Sequence, residues 1–513
     1  MNGAKSLVQT LLAAGVDICF ANPGTSEMHF VAALDQVPGM KGVLGLQENI
    51  VTGMADGYFR IARKPACTLL HCAPGLANGM ANLHNARRAR SGIVNIVGDQ
   101  ATYHRPYDAP LTGDTAGMAQ TVSGWVRTSS KTADLGRDAA EAVRAANTFP
   151  GQVATLILPA DVSWQDGGVV GTPMARAQPP PIDASAVEGA ARILRGNSNV
   201  LILLDGRGVL GEAQRLVWRI ASATGAAVLA SITSSHLARG RGRMQLARVP
   251  YAMESAIETL DAFRHIVLVN APPPVGFFGY PGMPSTQHNP QAQFHVLSRP
   301  DQDPVAALQA LVDVLDAPDV AMPDPGPRPE PGRGASTPDG LARTLGALMP
   351  EHAIVSDESI SYARSFYRFT HATPAHDWLH LAGGAIGDGM PVATGAALGS
   401  DRQRRVINLQ ADGSAMYSLQ SLWTQARERL PVTTILLNNS KYNILIGEYA
   451  NVGASPGKTA MSMLDLGNPL LDWVKLAGGM GVEAARATTL EQCADLMRSS
   501  FASPAPFLID LAI

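Results

Sequence analysis

Two oxygen-bearing side chains, Asp412 and Asn439, bracket the segment ADGSAMYSLQSLWTQARERLPVTTILLNN, residues 411–439. RRVINLQ before it reads as a strand, and ADGS as the turn that closes it. From Tyr417 onward Leu419, Leu422, Trp423, Ala426 and Leu430 recur at helical spacing, which predicts a helix with one apolar face. Pro431 stops that helix, and VTTILL returns as a second strand ending at Asn438 and Asn439. A right-handed crossover brings two parallel strand ends to one edge of a sheet, where Asp412 and Asn439 can face each other. One carboxylate and one amide oxygen make a sparse, hard ligand set. It suits Mg2+, which keeps water and borrows oxygens from a bound phosphate. Gly413 and Ser414 would let backbone N–H groups approach that phosphate at the start of the following helix. Taken singly, Asp-Gly-Ser is a common cap and Asn-Asn a common turn. The complete strand, turn, helix, proline and strand unit is the specific signal.

The elements that would position such a pair recur along the chain. VDICFANPG, GVLGLQEN, ACTLLHCAPG, GIVNIVGDQ and VATLILPAD lie in residues 1–166, and NVLILLDGRG, AAVLASI and HIVLVNAPP in 184–321. AIVSDES, RRVINLQADGS, TTILLNNS and PFLIDLAI lie in 338–513. Continuous Val, Ile and Leu runs between helical patterns predict an α/β fold of three doubly wound parallel-sheet domains. Two spacers separate them, GGVVGTPMARAQPPPID at 167–183 and MPDPGPRPEPGRGAST at 322–337, too rich in proline for helix or central strand. Ligands of such sheets bind beyond the carboxyl ends of the strands.

Composition narrows the function classes. The chain has 513 residues, 46% hydrophobic and 16% charged, with a net charge of -3. That balance fits several well-buried domains and gives no electrostatic footprint for nucleic acid or an anionic membrane. No apolar run approaches the ~20 residues of a membrane span. Met1 leads straight into the amphipathic SLVQTLLAAG without a signal-peptide core. Cys19, Cys67, Cys72 and Cys493 form no C-x-x-C pair and read as reduced core thiols, so a soluble cytoplasmic protein is expected.

The 411–439 unit resembles the thiamine-diphosphate-binding signature of the decarboxylase and acetohydroxyacid synthase superfamily, with Ala411 in place of the usual opening glycine. The resemblance covers the whole chain. ANPGTSEMHF, LQENIVTGMADGYFR and RKPACTLLHCAPGLANGMANLHNA look like the pyrimidine-binding domain, and AGGAIGDGMPVATGAALG like the loop before the metal site of the diphosphate-binding domain. A middle domain lies between them. DGSAxYSxxxLWT and the LQE and LHxAxG segments are most similar to the benzoylformate decarboxylase branch.

The resemblance implies thiamine diphosphate and Mg2+ as cofactors, with the metal held by Asp412, Asn439 and the Lys441 backbone oxygen. Ala411, Gly413, Ser414, Tyr442, Ser359 and Ser361 would lie about the diphosphate, although the two serines also fit helix caps. Gly384 and Ile386 would also contact the cofactor, with Ile386 wedging it into a bent shape. Glu48 would hydrogen-bond the aminopyrimidine and favour the tautomer that accepts the C2 proton. His71 would move protons at the reacting carbon, and Thr25 matches a serine that touches substrate. The substrate class implied is a small 2-oxo acid or aldehyde. A homodimer or homotetramer is implied, with each active site between the pyrimidine domain of one subunit and the diphosphate domain of another.

Several positions depart from the known branches. No histidine lies between Asn270 and Gly282, where Phe277 and Phe278 stand in place of a second pocket histidine. The paired histidines of pyruvate decarboxylase are missing from GDQATYHRPYDAPLTGD, and Pro110-Leu111-Thr112 occupy the place of an acetolactate synthase glutamine. His104 and Arg105 read as a solvated loop, with receipt of a substrate carboxylate as the alternative. Gly206, Gly208 and Gly211 form G-x-G-x-x-G after a strand, but the next strand ends in Ser231-Ile232-Thr233 without a ribose-binding acid. A tight βα turn is therefore expected there rather than an FAD or other nucleotide site. The function expected is a 2-oxo acid decarboxylase with carboligase capacity. The alternatives are an acetolactate-synthase-type carboligase and a degenerate scaffold or regulatory subunit, against which the retained Glu48, Asp412 and Asn439 argue.

Overall fold

The computed structural model describes residues 1–362 and 365–513. Strands β1 (Ile18–Asn22), β2 (Lys41–Leu44), β3 (Ala66–Leu70), β4 (Ile93–Asp99), β5 (Trp125–Thr128) and β6 (Val153–Pro159) form a parallel sheet in the order β2-β1-β3-β4-β6-β5. Next come β7 (Val200–Leu204), β8 (Ala227–Ala230), β9 (His236–Arg239), β10 (Ala247–Arg248), β11 (His265–Val269) and β12 (Gln293–Ser298). All of these but β9 make a second parallel sheet, ordered β10-β8-β7-β11-β12. The third sheet contains β13 (Ile354–Glu358), β14 (His376–His380), β15 (Val406–Ala411), β16 (Val432–Asn438), β17 (Glu483–Ala487) and β18 (Phe507–Ala512). Its order is β17-β18-β16-β15-β13-β14-β9, with β9 antiparallel to β14 and Arg239 opposite His376. The middle segment thus lends an edge strand to the third sheet.

β3, β4, β6 and β7 are buried residue by residue, as apolar runs covered by helices on both faces require. Residues 167–183 and 322–337 carry neither helix nor strand. Among the described residues no helix is long and apolar enough to cross a membrane. Strand order reverses between β1 and β3 in the first sheet and between β13 and β15 in the third, the two places where a doubly wound sheet opens a crevice.

Helices Glu48–Ala62 and Gly389–Gly399 join the first and third sheets backbone to backbone. A β-carbon at Gly57 would strike the Val392 backbone, and one at Gly395 the Met54 carbonyl, so only glycine permits this approach. The helix expected from Tyr417 onward begins later, at Ser421, and runs to Glu428. A separate short turn, Asp412–Ala415, precedes it. Leu419 is buried from the intervening turn and Leu422 from the helix, so their apolar spacing marked the inward-facing residues without marking the backbone path.

Candidate active site

β15 and β16 pair in register up to Ala411 opposite Leu437, which carries Asp412 and Asn439 to the same edge. Asp412 is 2% exposed. Its Oδ1 accepts from Gly413 N–H at 2.9 Å, and its Oδ2 from Asn439 N–H at 3.1 Å and Ser440 N–H at 2.6 Å. Burial pushes this carboxyl up from its ordinary range, and the three N–H groups pull against that shift. The two asparagines divide the work. Asn438 is spent inside, donating to Asp510 Oδ1 at 2.9 Å and accepting from the Ser440 hydroxyl at 3.1 Å. Asn439 is half-buried, and its Oδ1 takes Lys441 N–H at 3.1 Å, which leaves a lone pair for a cation. Asp412, Asn439 and the Lys441 carbonyl offer oxygen only, the donor chemistry of a hard divalent ion.

The turn beside them departs from expectation in two places. A β-carbon at Gly413 would press on the Tyr442 ring, 2.7 Å from Cδ1, so only glycine lets that ring pack against the turn. Gly413 N–H nevertheless points to Asp412 rather than outward, because the buried carboxylate claims the nearest donor. The Ser414 hydroxyl donates to Ala411 O at 3.1 Å and accepts from Gln410 Nε2 at 2.8 Å, so it braces the turn from within. Ala411 sits at φ -73° and ψ 144°, an extended conformation alanine takes without strain. Ser359 is likewise committed, its hydroxyl donating to Asp357 Oδ1 at 2.5 Å, and Ser361 is half-buried just beyond Ile360.

The loop bearing Gly384 and Ile386 is clamped from both sides. Glu358, at the end of β13, accepts Gly387 N–H at 2.7 Å, Gly389 N–H at 2.8 Å and Gln410 Nε2 at 2.8 Å. From helix Cys72–Ala89 of the first domain, Asn85 Nδ2 donates to Ala385 O at 2.8 Å and Asn82 Nδ2 to Gly387 O at 3.3 Å. Ile386 is half-buried and stands outside the apolar core clusters. A loop from the second sheet leans on the same place. The Phe277 ring lies against Gly384, where a β-carbon would come within 2.6 Å of it, and Tyr280 Oη donates to Glu448 Oε2 at 3.1 Å. Phe277 itself is 47% exposed and packs edge-on with Phe278.

Glu48 opens the helix Glu48–Ala62, whose N-terminus is capped by the Gln47 side chain accepting Asn49 N–H at 2.5 Å. It is 8% exposed, and its Oε2 accepts Asn78 Nδ2 at 3.1 Å. Asn49 and Asn82 bond each other, so the chain immediately after Glu48 is tied to the Gly387 loop. His71 lies at the first-sheet crevice, N-terminal to helix Cys72–Ala89, with Nδ1 2.9 Å from Glu27 Oε2 and 3.3 Å from Ser26 Oγ. Thr25 is exposed at the start of the turn that presents Ser26 and Glu27. All four cysteines are buried free thiols, but Cys72 faces this polar cluster rather than a core.

Sequence reasoning missed Glu27, Ser26, Asn78 and Glu358. The PGTSE string held a signal, because a glutamate three residues after Gly24 in a strand-end turn reads as a cap, and Glu27 does accept Gly24 N–H at 2.8 Å. A buried cap carboxylate can orient a histidine as well. Space for it comes from Gly98 at the end of β4, where a β-carbon would overlap the Glu27 carboxyl group. Gly98→Ala should therefore displace Glu27 from His71 and lower kcat by up to about 10²-fold. Steady-state rates across pH check this, and an unaltered rate and profile would show that Glu27 does not hold His71.

The remaining motifs have internal explanations. Arg105 pairs with Asp99 at 2.5 Å, and His104 is exposed against Tyr107. Gly206 takes φ 53° and lies near both Asn270 and the Arg90 guanidinium of the first domain, Gly208 lies against Val269, and Gly211 against the Arg243 guanidinium, so protein atoms pack against each glycine of the run.

Residues 1–123 match the thiamine pyrophosphate enzyme N-terminal TPP binding domain, and residues 361–511 the C-terminal TPP binding domain. The chain is 49% identical to "Putative acetolactate synthase large subunit IlvX" of Mycobacterium tuberculosis, across 100% of this chain and 99% of that protein. It is 29% identical to benzoylformate decarboxylase of Pseudomonas aeruginosa, across 97% and 96%. Among solved structures it is similar to the thiamine diphosphate-dependent 4-hydroxybenzoylformate decarboxylase of Rhodococcus jostii RHA1, with TM-score 0.85, 25% identity, and 99% and 98% coverage.

Proposed function

Because this chain belongs to the thiamine pyrophosphate enzyme family, we propose that it is a Mg2+-dependent 2-oxo acid decarboxylase with carboligase capacity. The observation that carries this reading is the pairing of a buried acid at one sheet edge, Glu48, with an all-oxygen donor set at another, Asp412, Asn439 and Lys441. Thiamine diphosphate, when bound, supplies the electron sink for carbanion chemistry beside a carbonyl. Asp412, Asn439 and the Lys441 carbonyl would hold the metal. Glu48 would hold a proton at the pyrimidine ring, and Asn78 fixes the direction of its carboxylate. His71, with Nδ1 engaged by Glu27, has Nε2 left to carry a proton to or from substrate.

Phe277, against Gly384, and Phe278, packed on it, would offer substrate an apolar surface where a second proton carrier is missing. Fewer proton donors near the reacting carbon would favour capture by a second carbonyl, which is the basis for including carboligation. An acetolactate-synthase-type carboligase is the second reading, favoured by the name of the 49% identical relative. Incubating the purified protein with thiamine diphosphate, Mg2+ and a panel of 2-oxo acids separates them. Released CO2 with aldehyde supports the first, acetolactate from pyruvate the second, and no turnover on any 2-oxo acid refutes both. We also propose a homodimer or dimer of dimers. Apolar residues left on the surface of the third-sheet domain, such as Met463 at 76% exposure, support it. A monomer by light scattering of the cofactor-loaded protein would remove that part.

A further inference from the structure

The crevice of the first sheet gathers three different ligand chemistries. The Glu27 carboxylate, the His71 imidazole and the Cys72 thiol place their ligand atoms within 4.8 Å of one another. Cys72 begins its helix at φ 54°, a left-handed conformation that is costly for a side-chain-bearing residue. Its Sγ lies 3.1 Å from Ser26 Oγ. The same Oγ is 3.3 Å from His71 Nδ1 and donates to Glu27 Oε1. One small hydroxyl therefore touches all three donors, in the space a shared ion would take once Ser26 rotated about χ1.

The donor types select the ion. Sulfur, nitrogen and one carboxylate oxygen suit a borderline-soft cation, whereas Mg2+ prefers an oxygen-only set such as that around Asp412. Zinc bonds to these donors measure roughly 2.0–2.3 Å, so the three atoms would need only to close about a common centre. His71 is partly open to solvent, which leaves a direction for water as a fourth ligand. Burial pushes the Cys72 thiol up to about 11, with the Glu27 and Asp99 charges adding to the shift, so the free thiol is protonated. Its proton would pass to solvent as the sulfur–metal bond forms, with no electron transferred.

We propose that Glu27, His71 and Cys72 form a second cation site, selective for Zn2+ and similar ions, whose occupancy inhibits the enzyme by drawing His71 out of its pair with Glu27. The inhibition rests on reading His71 as a proton carrier. The binding does not.

Cd2+ titrated into the full chain, loaded with thiamine diphosphate and excess Mg2+, should develop the ultraviolet thiolate-to-cadmium band to one equivalent per chain. Cys72→Ser should abolish that band, and Glu27→Gln, which keeps the thiol, should weaken Cd2+ affinity at least ~10-fold. Zn2+ should inhibit turnover saturably, and Cys72→Ser should need at least ~10-fold more Zn2+, each protein compared with its own zinc-free rate. Absence of the band in the wild-type chain overturns the site, and so does its persistence in Cys72→Ser. Equal zinc sensitivity of the two proteins would assign inhibition to the Asp412 site and overturn the regulatory role. If no 2-oxo acid is turned over, the proposed reaction fails while the cadmium band still decides the site.

Discussion

Glu48→Gln is expected to lower kcat by about 10²–10⁴-fold, the range for losing a positioned proton-transfer group, while thiamine diphosphate still binds. The substitution is nearly isosteric. Its amide oxygen can still accept from Asn78 Nδ2, and the Gln47 side chain still caps the helix, so the fold around it keeps its hydrogen bonds. What is lost is a carboxylate able to share a proton with a ring nitrogen. Binding and turnover therefore separate, with calorimetry reading the first and CO2 release the second. A scaffold or regulatory subunit would be indifferent to this change. Wild-type kcat in Glu48→Gln would end the catalytic assignment of this residue.

How far the sequence could be read depended on burial. The twelve strands legible from apolar runs include β3, β4, β6, β7 and β16, which are covered on both faces and so must be hydrophobic throughout. The strands it did not reveal are β5, β9, β10, β12, β14 and β17. Five of these lie at a sheet edge, and β14 is interior only because β9 covers it. Edge strands such as Glu483–Ala487 have one face in water and short apolar content, so composition does not distinguish them from loop. Nothing local could announce β9, since His236–Arg239 leaves its own sheet to pair with a segment more than a hundred residues later.

The site divides along the same line. Asp412, Asn439, Glu48 and His71 all follow apolar runs, and strand ends are where such folds bind. Glu358 was hidden because it closes a strand that reads as SDES, and its work is holding N–H groups of a loop thirty residues on. Glu27 was hidden because its sequence signature is that of a cap. Both are buried carboxylates with partners far along the chain, His71 for Glu27, and Gly387, Gly389 and Gln410 for Glu358. Only the assembled sheet order brings those partners to them.

Asp412→Asn is expected to abolish Mg2+-dependent uptake of thiamine diphosphate and to destabilise the protein by about 1–3 kcal/mol, the cost of leaving buried N–H groups without an acceptor. The two effects have separate causes. Both carboxylate oxygens accept backbone N–H donors, Oδ1 from Gly413 and Oδ2 from Asn439 and Ser440. An asparagine in either orientation points its NH2 at one of those donors, and the turn between β15 and β16 loosens even without cofactor. Independently, the neutral amide removes the one formal charge among the proposed metal donors. Because burial raises the Asp412 carboxyl, its negative charge is held at a cost in the cofactor-free chain. Protonation at low pH relieves that cost and also removes the metal ligand. This group's own contribution to the stability of the cofactor-free chain is therefore present at low pH and lost as pH rises through the raised value, whereas cofactor uptake runs the opposite way. Thermal unfolding with and without thiamine diphosphate and Mg2+ should show a stabilisation by cofactor that fades as pH falls toward that value. It should be absent at every pH in Asp412→Asn. Full cofactor-induced stabilisation in the variant would mean that the metal, and the diphosphate with it, are held elsewhere.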